Sequence, residues 1–180
     1  MHEVKHDGYR LMVRRDGERV RCFTKNGHDW SDRFPSIVHA ARGIAFDSFL
    51  IDGEAVILDG DGTPDFQALR GRGRSSEVIL VGFDLLEKNG RDLRDLPLIK
   101  RKRQLKKLLE RANKWRAIQY GQHLNGDGPA IFAHVCRMGL EGIVSKRTDA
   151  PYRSGPSKSW LKVKNPASDA LRRECEEEWR

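Results

Sequence analysis

Alternating apolar and polar positions organise the start of the chain. Leu11, Met12 and Val13 lead into Asp16-Gly17, and Val20, Cys22 and Phe23 follow. An Asp-Gly pair between apolar runs predicts two strands around a tight turn over residues 11–24. The period then lengthens. Ser31-Asp32-Arg33 stands where a helix cap belongs, Phe34, Ile37, Val38 and Ala41 share one helical face, and Gly43 ends the helix. Residues 49–58 read as a strand pair or one bent strand around Asp52-Gly53, and 59–62 as a turn-rich tip. A short helix is expected at 66–69, a basic glycine-rich loop at 70–74 and a buried strand at 78–86. Residues 98–112 predict a helix with Leu98, Leu105, Leu108 and Leu109 on one face. Its lysines and arginines between 100 and 107 read as a solvated outer face, with nucleic-acid contact as the alternative. Strands are expected at 117–123, 142–146 and 160–164, a helix at 129–138, and a charge-dense, helix-prone tail at 167–180. Many strands with interspersed helices argue an α+β domain over 1–166 followed by that tail.

Composition narrows the class. The 180 residues suffice for one domain with a real core. No run of about 18 apolar residues exists, so no membrane span is expected, and the polar first ten residues lack the apolar core of a secretory signal. A net charge of +8 and a pI near 9.6 favour polyanions, nucleic acid first. Cys22, Cys136 and Cys175 form no CxxC pair. Cys22 and Cys136 sit in strand-like and helix-like runs and read as packing residues, which fits a reducing cytoplasm.

The candidate chemistry begins at Lys5-His6-Asp7-Gly8-Tyr9-Arg10, where a lysine, an acid and an arginine crowd one glycine just before a strand. A protonated lysine cannot attack an electrophile, but burial or nearby positive charge can free its amine. Alone the string is short. It is followed in order by Ile51-Asp52-Gly53-Glu54, Phe83-Asp84, Glu141-Gly142-Ile143-Val144-Ser145-Lys146 and Trp160-Leu161-Lys162-Val163-Lys164.

This ordered series resembles the nucleotidyltransferase motifs of ATP-dependent DNA ligases and mRNA capping enzymes. The run Ala150-Pro151-Tyr152-Arg153-Ser154-Gly155 is similar to the bacterial end-joining ligase branch. The resemblance implies an α+β nucleotidyltransferase fold, an ATP-grasp-like ligase core with antiparallel sheets flanked by helices. By that resemblance Lys5 attacks the α-phosphate of ATP to form lysyl-AMP. Lys162 and Lys164, which alternate on a strand and so face one side, grip that phosphate. Glu141 resembles the carboxylate that binds Mg2+ (or Mn2+), with Asp7 helping directly or through water. Glu54 and Arg10 resemble the pair that holds the ribose, the arginine orienting the carboxylate. Phe83 stacks on the adenine or, on the other reading, packs in the core. Glu3, two positions before Lys5, can accept the adenine amine or guanine donors. Lys146 is a further candidate phosphate contact.

Lys25, in Thr24-Lys25-Asn26-Gly27, stands where the family shows an arginine that touches the 5′-phosphate of a nick. Lysine keeps the charge and loses the fork. His28 and Trp30 read either as site-lining residues or as a surface histidine and a packed aromatic. The chain starts four residues before Lys5 and ends 16 after Lys164. No oligonucleotide-binding (OB-fold) domain is therefore expected within it. The implied partners are nicked or broken double-stranded DNA and a separate OB-fold or end-joining protein. The implied setting is the bacterial cytoplasm, at the nucleoid. A non-catalytic nucleic-acid-binding remnant and a capping guanylyltransferase are the alternative functions.

Overall fold

In a computed structural model, two mainly antiparallel sheets meet at the segment that carries Lys5. The structure describes residues 1–71, 73–110 and 117–178. Residues 111–112 of the expected helix, Arg72 of the glycine-rich loop and residues 179–180 of the tail lie outside the described residues.

The larger sheet is built on the expected hairpin. Strand β2 (Tyr9–Asp16) turns at Gly17 into β3 (Arg19–Thr24), and β4 (Ser48–Val56) pairs with the other edge of β2. The expected 49–58 is thus one bent strand as far as Val56, with Leu58 in an isolated bridge to Pro64. The pairing of β4 with β5 (Ile79–Lys88) slips at Leu50/Ile51 and again at Asp52/Gly53. Such irregularities bend a strand and re-aim its side chains. The short β6 (Arg91–Asp92) pairs antiparallel with β5, and β7 (Ile118–Tyr120) pairs parallel to it. The smaller sheet has the order β1 (His2–Val4), β8 (Gly142–Lys146), β9 (Trp160–Lys164).

Helix α1 (Pro35–Arg42) covers the hairpin side and ends at Gly43 as expected. Ser31 does not cap it. Ser31–Arg33 form a separate 3₁₀ turn, and the Ser31 hydroxyl instead donates to Asp29 and accepts from the Cys22 amide. Helices α2 (Phe66–Arg70), α3 (Leu98–Glu110), α4 (Gly128–Arg137) and α5 (Asp169–Glu178) follow. Leu11, Val13, Ile37, Ala41, Ile51, Leu80, Leu85, Leu105 and Leu108 belong to one buried cluster. Cys22 is fully buried within it, and burial pushes its thiol up to about 12. Cys136 is half-buried.

The solvated face expected for α3 fails at two positions. Arg101 and Lys102 are completely buried. Arg101 donates to both oxygens of Asp84 (2.8 and 2.9 Å) and to the Ala150 carbonyl (3.1 Å), and Lys102 sits 2.6 Å from Glu3. Buried cations persist where acids and carbonyls take the place of water.

Two glycines explain why the motifs have their spelling. A Cβ on Gly8 would lie 2.2 Å from the Ala55 carbonyl oxygen. Gly142 has φ +142°, and its Cβ would lie 2.1 Å from the Val163 oxygen. Each glycine lets its chain press against the next strand, which holds the neighbouring Asp7 and Glu141 close to Lys5. Among the described residues no helix is long and apolar enough to cross a membrane.

Candidate active site

Lys5 lies in the link between β1 of the small sheet and β2 of the large. Its amide donates to the Gly142 carbonyl (2.8 Å), which fixes it beside β8. A cavity of about 580 Å³ opens there. Among the predicted residues, Glu3, Lys5, Arg10, Lys25, Glu54, Phe83 and Lys162 all line it, as do Lys146, His28, Trp30 and Trp160.

One end of the cavity is aromatic. Phe83 and Trp160 meet edge to face at 5.7 Å, a favoured arrangement for two rings. The Lys146 ammonium stands 4.4 Å and 4.0 Å from their centroids, and the Arg10 guanidinium 5.8 Å from each. The other end is charged. Lys5 forms an ion pair with Glu141. Lys162 is held below the usual lysine range, first by burial and then by the charges of Lys5 and Arg10. Lys164 follows on the same face of β9, and its charge reaches Glu141.

Three of these side chains have partners that the sequence does not announce. Arg10 does not orient Glu54, although the two residues face each other across β2 and β4. Its fork grips Asp52 instead (3.0 and 2.7 Å), and the Tyr152 hydroxyl donates to the same carboxylate (2.9 Å). Positions 10 and 52 are diagonal neighbours on one face, within reach of a long side chain. Glu54 is left without that partner, and burial pushes its carboxyl up to about 8. Glu3 lines the cavity, but its carboxylate is held between Lys102 (2.6 Å) and Lys146 (2.5 Å). Lys146 thus pairs with Glu3 and stands over the two rings. Burial also lowers Lys102 below the ordinary lysine value.

Asp7 and Glu141 are the residues that would hold a divalent cation. One Glu141 oxygen pairs with Lys5, while the other is buried and has no hydrogen-bond partner among the described residues. Burial raises the Glu141 pKa, and the charge of Asp7 adds to the effect. A pair of carboxylates with one orphaned oxygen suits a cation that takes its remaining ligands from phosphates and water. No cluster of three or more metal-ligating side chains exists among the described residues. Asp7 is itself paired with Arg173 of α5.

Tyr152 and the buried cations Arg101 and Lys102 were missed from sequence as parts of the site's framework. A signal existed for two of them. Leu98, Arg101, Lys102, Leu105, Leu108 and Leu109 follow helical i, i+3, i+4, i+7 spacing, so both cations fall on the apolar stripe.

A lysine that lines a cavity with an aromatic pair and further cations, where the two sheets meet, fits a nucleotidyltransferase core. Residues 1–164 match the family described as ATP dependent DNA ligase domain, and the chain belongs to that family. It is 41% identical over 166 residues to the multifunctional non-homologous end joining protein LigD of Pseudomonas aeruginosa, spanning 91% of this chain and 20% of that protein. It superposes on the ligase domain of M. tuberculosis LigD with a TM-score of 0.79 at 36% identity, covering 91% of this chain and 54% of the other. It superposes on a mycobacterial DNA ligase D complexed with ATP and MES with a TM-score of 0.77, also at 36% identity, covering 91% and 53%. The chain thus spans about a fifth of the LigD relative and about half of each solved chain.

Proposed function

We propose that this chain performs ligase-type adenylyl transfer, loading AMP onto Lys5 for the repair of DNA breaks. The observation that carries the reading is the placement of Lys5. It lines one cavity together with Phe83, Trp160 and Lys162. A flat base held at the rings directs its phosphates toward the lysines. The ATP held by a 36%-identical mycobacterial relative supports adenine as that base.

Chemistry follows from the charges. As found, the Lys5 ammonium is neutralised by Glu141. That ion pair must open, and the amine must be without its proton, before the nitrogen lone pair can attack. The free Nζ then attacks the α-phosphorus. An N–P bond forms, the bond to the bridging oxygen breaks, and pyrophosphate departs with the electron pair. A divalent cation would neutralise the separating phosphates. Lys162 and Lys164 supply fixed positive charge at the same point, and Phe83 and Trp160 hold the base. Glu54, neutral through much of the physiological range, has the position and the hydrogen-bonding capacity for the ribose hydroxyls.

The second half-reaction needs nicked or broken double-stranded DNA. AMP passes to the 5′-phosphate and a 3′-hydroxyl displaces it. Lys25 at the cavity edge and the net charge of +8 suit that polyanion. An OB-fold module or an end-joining protein is the partner this step calls for, in the bacterial cytoplasm where the chromosome lies. The test is incubation with ATP or GTP and Mg2+ or Mn2+, followed by intact-mass and peptide mass spectrometry. One acid-labile AMP on Lys5, absent from Lys5→Ala, is expected. AMP on another residue, or label retained by a folded Lys5→Ala protein, refutes the assignment.

A further inference from the structure

The family match ends at residue 164, yet the chain beyond it is tied to the backbone of Glu141 and to the carboxylate of Asp7. The Asn165 amide donates to the Glu141 carbonyl (2.8 Å), and its side chain donates to Leu140 (3.0 Å). Asn165 and Ser168 are buried, and the Ser168 hydroxyl donates back to the Asn165 carbonyl (2.9 Å). This turn leads into α5, where Ala170 is buried. One turn further on, the Arg173 guanidinium lies 4.5 Å over the Phe66 ring and pairs with Asp7, each side chain of the pair being about one-fifth exposed.

A carboxylate cannot serve an arginine and a divalent cation at full strength together, because each draws on the same oxygens. Arg173 is anchored through Phe66 and a buried turn, so it stays close to Asp7 instead of diffusing away. We propose that Arg173 is a resident competitor for the divalent cation at Asp7, making α5 a strap that must release Asp7 before the metal site is complete. The proposal rests on the metal reading of Asp7 and Glu141 given above.

The experiment is metal binding without nucleotide, on the full 180-residue chain. Mn2+ is titrated and its free fraction read by electron paramagnetic resonance, for the parent, Arg173→Ala, Arg173→Lys, Asp7→Asn and the Asp7→Asn/Arg173→Ala double variant. Arg173→Ala is expected to bind Mn2+ about five- to tenfold more tightly, the span that about 1–1.4 kcal/mol gives. Arg173→Lys, which keeps the charge without the fork, falls between. In the Asp7→Asn background, removal of Arg173 changes nothing. Unchanged or weaker binding by Arg173→Ala overturns the proposal, as does a gain that persists without Asp7. If Arg173→Ala is unfolded by circular dichroism, Arg173→Lys decides: binding no tighter than the parent overturns the idea. The two readings fail differently. Asp7→Asn leaving Mn2+ binding intact removes Asp7 from the metal site and the competition with it. Asp7→Asn weakening it while Arg173→Ala matches the parent removes only the competition.

Discussion

The Asp52 carboxylate has no exposure to solvent and holds three hydrogen bonds, two from Arg10 and one from Tyr152. Arg10→Met keeps most of the side-chain volume and takes away the counter-ion. Breaking a buried ion pair from one side costs about 3–5 kcal/mol. The Arg10 side chain is 32% exposed, so solvent screens the pair in part and the low end, about 3 kcal/mol, applies. Asp52→Asn keeps an acceptor but discards the charge, which should cost about 2 kcal/mol. Additivity would then put the double variant near a loss of about 5 kcal/mol. The double strands no charge, so a loss of about 3 is expected, and hence a coupling of about 2 kcal/mol. Urea unfolding followed by tryptophan fluorescence and circular dichroism measures all four proteins at a common m-value. Arg10→Met should also melt about 6–12 °C lower, at about 2–4 °C per kcal/mol for a chain of this size. A loss below about 1 kcal/mol in Arg10→Met, or a double variant as unstable as the sum of the singles, would refute the assignment of Arg10 to Asp52.

Glu54 gives a pH signature. Its folded pKa of about 8 exceeds its ordinary 4.5, so between those values the native state holds a proton that the unfolded state has released. Stability contributed by this group is present at low pH and falls as pH rises from about 5 to about 8, by at most about 1.4 kcal/mol per pH unit. Glu54→Gln should flatten that slope in denaturation curves, and an unchanged slope would place the titrating proton elsewhere. Glu141→Gln should bring AMP loading down by about a hundredfold or more with the circular dichroism spectrum intact, because the orphaned oxygen of Glu141 is lost as a cation ligand. Labelling at the parent rate would exclude Glu141 from the metal site.

Strand boundaries were legible where alternation met a glycine or a proline. The expected 142–146 and 160–164 are the observed β8 and β9. The hairpin was legible because Asp16-Gly17 offers a positive-φ turn position, and Gly17 adopts φ +57°. Residues 49–58 stayed ambiguous because Asp52 interrupts an apolar run, and only a partner reveals why an acid can be buried there. The residues gathered around Lys5 were legible as a set because their motifs occur in order. Their pairings were not. Periodicity reports the face a side chain occupies, whereas pairing depends on side-chain length and on which cation the fold delivers from elsewhere.

That limit bears on how the cavity works. Three buried acids, Glu3, Asp52 and Asp84, are each held by a long cation from another element: Lys102 and Lys146, Arg10, and Arg101. Two of those cations, Lys146 and Arg10, also stand over Phe83 and Trp160. A third, Arg101, holds the Ala150 carbonyl two residues before Tyr152, whose hydroxyl binds Asp52. The aromatic slot is therefore braced by charge from both sheets and from α3. A base entering it meets rings already fixed at right angles and ion pairs already formed, so little side-chain ordering remains to be done on binding. The charged end is the opposite case. Lys5 pairs with one oxygen of Glu141, and Asp7 pairs with Arg173. On the proposed adenylyl-transfer reading, the braced rings would receive the base, while Lys5, Glu141 and Asp7 would have to exchange internal partners for phosphate and metal.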